Sequence, residues 1–110
     1  MTEIVKFKEN RDYRRLYSRG RAYVGPELVT YVMKNRSKNV RYGITTGKKT
    51  GKAVQRNRSR RIIKAAFLKL APEIPKGYDF VFVSRAATAT KKSTDIERCM
   101  QKQLKKAGVL

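Results

Sequence analysis

A chain of 110 residues fits a single domain, 1–110, and can bury roughly two thirds of its unfolded surface, enough for one core. Its 28 Lys and Arg against 8 Asp and Glu give a net charge of +20, whereas a small domain needs only about 2 to 8 for solubility. Such a surface repels itself and calls for a polyanionic partner, nucleic acid first and an anionic membrane second. The membrane finds no support: there is no run of about 18 apolar residues, and Met1 to Asn10 holds no apolar stretch of signal-peptide length. Cys99 is the single cysteine, so no internal disulfide can form. A cytoplasmic protein with a reduced thiol, packed or idle rather than nucleophilic, is expected.

The first predicted element is a helix over Asn10 to Arg19, with Asn10 able to cap it, Asp12 in its first turn and Gly20 at its end. Tyr13, Leu16 and Tyr17 share one face of it. A weak strand follows at Ala22 to Val24, then a Gly25-Pro26 turn and a β-rich segment from Leu28 to Met33. Val40 to Thr46 alternates Val40, Tyr42 and Ile44 with Arg41, Gly43 and Thr45, the period-two pattern of a half-buried strand. A basic loop, Gly47 to Lys52, leads into the main helix, which starts between Ala53 and Asn57 and runs to Leu70 before Pro72 and Pro75. Tyr78 to Ser84 is the clearest strand. A last helix starts near Ser93, where Thr94 and Glu97 read as a capping box, and Gly108 lies at its far end. One sheet with helices packed on it is the economical arrangement.

The main helix carries the argument. At about 100° per residue, Ile62, Ile63, Ala66, Phe67 and Leu70 form one stripe. Asn57, Arg60, Arg61 and Lys64 fall within about 100° on the opposite side, flanked by Arg56 and Arg58. No Asp or Glu is interleaved to relieve the repulsion. From Leu28 to Pro72 there are thirteen Lys and Arg and no acid at all. Three like charges on one face, with two more flanking it, cost stability alone and gain it beside phosphate, where Arg can fork two oxygens. RNA or DNA contact is therefore expected here. The loop Gly47-Lys-Lys-Thr-Gly-Lys-Ala53 lacks the spacing and the hydroxyl of a Walker A motif, although its amides and lysines would favour an anion. Tyr13, Tyr17 and Tyr31 could be core or could stack unpaired bases.

Groups for independent chemistry are sparse. The chain has no His, and its carboxylates are scattered without a local pair. No Cys and His set is available for zinc. An enzyme with its own active site is disfavoured; a general RNA chaperone or ribosomal protein stays open.

The segment Gly47 to Phe67, with Lys48-Lys49, Gly51, Ala53-Val54, Arg56-Asn57-Arg58 and Arg60-Arg61 ahead of an apolar helix, resembles the signature of the bacterial ribonuclease P protein component. The Asp12-Tyr13 helix ending at Gly20, the strand with Tyr31, and Arg41 to Gly43 fall in the order of that family. The resemblance implies an α+β fold, a two-layer sandwich of a four-stranded mixed sheet and three helices in the order αβββαβα. Its βαβ crossover through the main helix would be left-handed, against the general rule.

It further implies the protein subunit of an endoribonuclease whose catalysis resides in its RNA. The implied partners are ribonuclease P RNA and precursor tRNA, from which the 5′ leader is removed, with no membrane and no obligate protein partner. The implied cofactor is Mg²⁺, held mainly by the RNA. By matching position, Arg56, Asn57, Arg58, Arg60, Arg61 and Lys64, together with Lys48, Lys49 and Lys52, would contact the catalytic RNA. Phe7, Tyr13, Tyr17 and Tyr31 would line the cleft for the single-stranded leader. Tyr13 and Tyr17 stand where the family often has Phe, and Lys64 where an Arg is common.

Overall fold

The computed structural model describes residues 3–47 and 51–110. Five strands, β1 (Ile4–Lys6), β2 (Arg21–Val24), β3 (Leu28–Lys34), β4 (Val40–Thr46) and β5 (Tyr78–Ser84), form one mixed sheet in the order β1-β4-β5-β3-β2. Three helices accompany it: α1 (Asn10–Arg19), α2 (Ala53–Leu70) and α3 (Ser93–Lys106). The four expected strands are all present, and β1 is a fifth. It is a three-residue edge strand that runs parallel to β4, pairing Ile4 with Val40 and Lys6 with Tyr42. β4 and β5 are parallel neighbours joined through α2, which makes the βαβ crossover.

Alternation along the strands sorts their side chains onto two faces. On one face Leu28, Val32, Val40, Tyr42, Phe80 and Phe82 meet the apolar stripes of α2 and α3. Phe67 is fully buried at the centre of that core, with ring centroids 4.8 Å from Tyr42 and 5.1 Å from Phe82. Truncating it to Ala would cost about 3 to 5 kcal/mol. On the other face Leu16 of α1 and Val81 of β5 form a smaller core with Phe7. Two layers thus describe the sheet with α2 and α3, and α1 adds a partial third layer on the opposite face. The reason lies in β5, where every residue from Asp79 to Phe82 is buried and both faces need cover.

The helix ends differ in detail from expectation. Glu9, not Asn10, occupies the cap position of α1, and the Gly20 amide closes the helix on the Leu16 carbonyl at 2.8 Å. The capping pair of α3 is not Thr94 and Glu97. Its cap residue is Lys92, whose backbone N–H donates to the Asp95 carboxylate at 3.1 Å, because the helix begins two residues earlier than a box on Thr94 requires. α3 is bound to the sheet by Gln103, a buried amide with every partner supplied: it accepts from the Thr30 hydroxyl at 2.6 Å and donates to the carbonyls of Tyr23 and Leu28. No helix among the described residues is long and apolar enough to cross a membrane.

Candidate nucleic-acid interface

The division of α2 into two faces is realised. Ser59, Ile62, Ile63, Ala66, Phe67 and Leu70 are buried, while Asn57, Arg60, Arg61 and Lys64 are exposed together. Arg60 is held in place: its guanidinium donates to the Asn57 side-chain oxygen and to the Thr46 hydroxyl, each at 3.0 Å. Arg56 is half-buried. Arg58 lies on the flank of the exposed face, sharing a hollow with Arg61, and donates to the Ala89 carbonyl at 2.9 Å, latching α2 to the 3₁₀ turn Thr88–Thr90 that precedes α3. Within the Arg56-Asn57-Arg58 run, Asn57 is exposed on the face of Arg60, Arg61 and Lys64, and Arg56 and Arg58 flank it on either side. Lys52 caps the helix, its amide donating to the Gln55 side chain at 2.9 Å. Before it, Gly51 has φ +118°, a conformation suited to glycine. Lys48 and Lys49 lie outside the described residues.

Phe7, Tyr13, Tyr17 and Tyr31 gather on the opposite face of the sheet, between α1 and the strands. Tyr17 meets Tyr31 edge to face at 5.0 Å, and Phe7 meets Tyr13 at 5.6 Å. Tyr17 is 43% exposed, but Phe7 is only 6% exposed and forms a floor beneath Tyr13 rather than a stacking surface. Asn10, Tyr13, Arg14, Tyr17 and Thr45 line an open depression of about 680 Å³. Gly43 makes it possible: a β-carbon there would come within 2.5 Å of the Tyr13 ring, so the ring lies directly on the β4 backbone. Burial pushes the Tyr13 hydroxyl above its ordinary pKa, while a hydrogen bond with the Ile44 backbone works the other way.

The floor beneath α1 is fixed by a buried carboxylate. Asp79 is fully buried and accepts from Arg41 at 2.9 and 2.7 Å, from Asn35 at 2.6 Å, and from Arg15 of α1 at 3.3 Å. The Arg41 pKa is raised, chiefly by the hydrogen bonds to Asp79. Arg41 also lies 5.5 Å from the Phe7 ring centroid, a cation–π contact. Sequence reading missed this cluster, along with the roles of Thr45, Thr46 and Arg14. The signal for Arg41 was available in part, as a charged residue within an alternating strand. Its carboxylate partner lies 38 residues away and could not be found by spacing.

Among the described residues no three His, Cys, Asp or Glu side chains come together. Cys99 is half-buried near Glu27, and burial raises its pKa, which keeps it a thiol. It borders a separate groove between the β2–β3 turn and α3, where Glu27 and Asp95 oppose Arg98 and Lys102. That mixed charge sets the groove apart from α2.

This small α+β domain thus presents a basic helix face on one side of a mixed sheet and an aromatic depression on the other, with no convergent set of metal-binding groups among the described residues. The family model for ribonuclease P matches residues 1–108, and the chain belongs to that family. It is 41% identical over 105 residues to the ribonuclease P protein component of Clostridium botulinum (strain Loch Maree), covering 94% of this chain and 95% of that one. It is 37% identical to that of Clostridioides difficile (strain 630), covering 93% and 90%. Its fold superposes on a mutant Staphylococcus aureus RNase P protein described as defective in mRNA degradation, with TM-score 0.84 and 29% identity over 96% of this chain and 89% of that one. The RNase P protein from Thermotoga maritima gives TM-score 0.80 at 25% identity, covering 92% and 96%.

Proposed function

We propose that this chain is the protein subunit of a bacterial ribonuclease P endoribonuclease, binding the catalytic RNA through α2 and the 5′ leader of precursor tRNA between α1 and the sheet. The observation that carries the reading is the two-sided arrangement itself. Asn57, Arg60, Arg61 and Lys64 form a one-signed face with no carboxylate among the described residues paired to it. Tyr13, Tyr17 and Tyr31 stand on the far side of the sheet, where unpaired bases could stack. The protein supplies binding, and the hydrolysis is assigned to the RNA. Mg²⁺ belongs with the RNA in this reading: the described residues of the chain do not fit a site for it, since the one fully buried carboxylate, Asp79, is saturated by Arg41, Arg15 and Asn35.

Affinity for the RNA should fall steeply with salt, because each neutralised phosphate releases counterions. Arg61→Gln should lower the slope of log affinity against log salt by about one. An unchanged slope for both Arg61→Gln and Lys64→Gln would remove α2 from the RNA interface.

A further inference from the structure

Helix α1 carries a second basic face that neither the aromatic depression nor α2 accounts for. Arg11, Arg14, Arg15, Ser18 and Arg19 form it and line a hollow of about 410 Å³. They are neighbours at spacings of three and four residues: Arg11 with Arg14 and Arg15, Arg14 with Ser18, Arg15 with Arg19. Like charges at these spacings destabilise a helix. Two of the four are relieved, Arg11 by Glu9, and Arg15 by Asp12 and Asp79. Arg14 and Arg19 have no hydrogen-bond or ion-pair partner among the described residues. A C-terminal position on the helix dipole gives Arg19 a local reason to be basic. It gives Arg14, in the middle of the helix, none.

Arg14 is also the joint between two surfaces. It lines the aromatic depression with Tyr13, Tyr17, Asn10 and Thr45, and it lines the arginine hollow. Passing around the helix from Tyr17, the next side chains are Arg14, then Ser18 and Arg11, then Arg15 and Arg19. Aromatic faces that suit bases thus pass without a break into guanidinium groups that suit phosphate oxygens.

We propose that this arginine face of α1 is a second phosphate-binding surface, taken by the RNA strand whose bases occupy the aromatic depression as that strand leaves it and crosses the helix. The proposal rests on the reading of the depression as the leader site and extends it. A strand that ends inside the depression touches Arg14 and stops there. A longer strand reaches Ser18, Arg11 and Arg19, so the protein favours substrates with long single-stranded leaders.

The test uses the reconstituted holoenzyme and two precursor tRNAs, with leaders of about 4 and about 16 nucleotides, the range of single-strand site sizes. Wild-type protein should bind the long-leader substrate several-fold more tightly. The double substitution Arg11→Gln/Arg19→Gln should abolish that preference and leave the short-leader affinity unchanged, and Arg11→Lys/Arg19→Lys should keep most of it. Arg14→Gln should weaken both substrates. Equal wild-type affinity for the two leaders, or equal loss on both in the double variant, overturns the proposal. Failure of the underlying reading looks different: the short-leader precursor would then bind no better than mature tRNA.

Discussion

Thr45 and Thr46 are consecutive on β4 and fasten opposite faces of the protein. The Thr45 hydroxyl shares a hydrogen bond with the Tyr17 hydroxyl at 3.1 Å, and the Thr46 hydroxyl accepts from Arg60 at 3.0 Å. Successive strand residues point to opposite sides of a sheet. One peptide unit therefore fixes an aromatic of the depression and an arginine of the helix.

This linkage predicts a crossed pattern of effects. Thr46→Val removes the acceptor for Arg60 with little change of shape and should weaken binding of ribonuclease P RNA about five-fold, the scale of one hydrogen bond of about 1 kcal/mol. Thr45→Val should weaken precursor tRNA and spare the catalytic RNA. Serine at either position should restore wild-type behaviour. Direct binding of both RNAs checks this, and identical profiles for the two valine variants would contradict it.

Substitution of the aromatic residues should separate the two forms of tRNA. Tyr17→Ala and Tyr31→Ala should each weaken precursor binding by about 1 to 3 kcal/mol, the scale of one lost base stack, with mature tRNA nearly unaffected. Equal loss for both tRNAs would move the leader elsewhere. Gly43→Ala should act alike by a different route, since its β-carbon would displace the Tyr13 ring.

The Asp79 cluster should be asymmetric under mutation. Asp79→Asn leaves Arg41 and Arg15, whose side chains are 27% and 35% exposed and can turn to water. Arg41→Ala leaves a fully buried carboxylate with only Arg15 and Asn35. Breaking a buried pair costs about 3 to 5 kcal/mol. Arg41→Ala should fall in that range and Asp79→Asn below it, as measured by urea unfolding.

Alkaline pH should destabilise the protein through its buried phenols. Burial raises the folded pKa of Tyr13 and of Tyr42. The unfolded chain then loses these protons first, near pH 10. The stabilising contribution is whole below that pH and is lost as pH rises through the folded values. Tyr13→Phe should flatten the fall in stability between pH 9 and 11 (about one unit either side of the free phenol), measured by denaturant midpoints; an unchanged curve would contradict it.

Much of this arrangement was legible in sequence, and for physical reasons. The stripe of Ile62, Ile63, Ala66, Phe67 and Leu70 follows from helical period, and β4 and β5 from alternation and β-branched content. β1 was not legible. Three residues carry too little pattern, and Ile4 to Lys6 become a strand only because β4 offers a parallel edge. Arg58 was legible as a flank of the Arg60 face, but not as a latch. Its commitment to Ala89 depends on where α3 enters, 31 residues away. The arginine face of α1 was hidden by the tyrosines that share the helix. Phe7 was legible as an aromatic but not as a floor, because its burial under Tyr13 is a tertiary fact.

Anion binding gives an independent check on the charge argument. At +20 the folded chain repels itself. Sulfate or phosphate should raise the melting temperature by binding the folded state, and more than chloride at equal ionic strength. Equal melting temperatures in the three salts would leave the basic faces without a specific anion site.

The most direct measurement is cleavage of precursor tRNA at low Mg²⁺ by the protein, by a bacterial ribonuclease P RNA, and by the two combined. The account predicts no cleavage by the protein alone and strong stimulation when protein joins the RNA. Equal RNA activity with and without the protein, or cleavage by the protein alone, would contradict it.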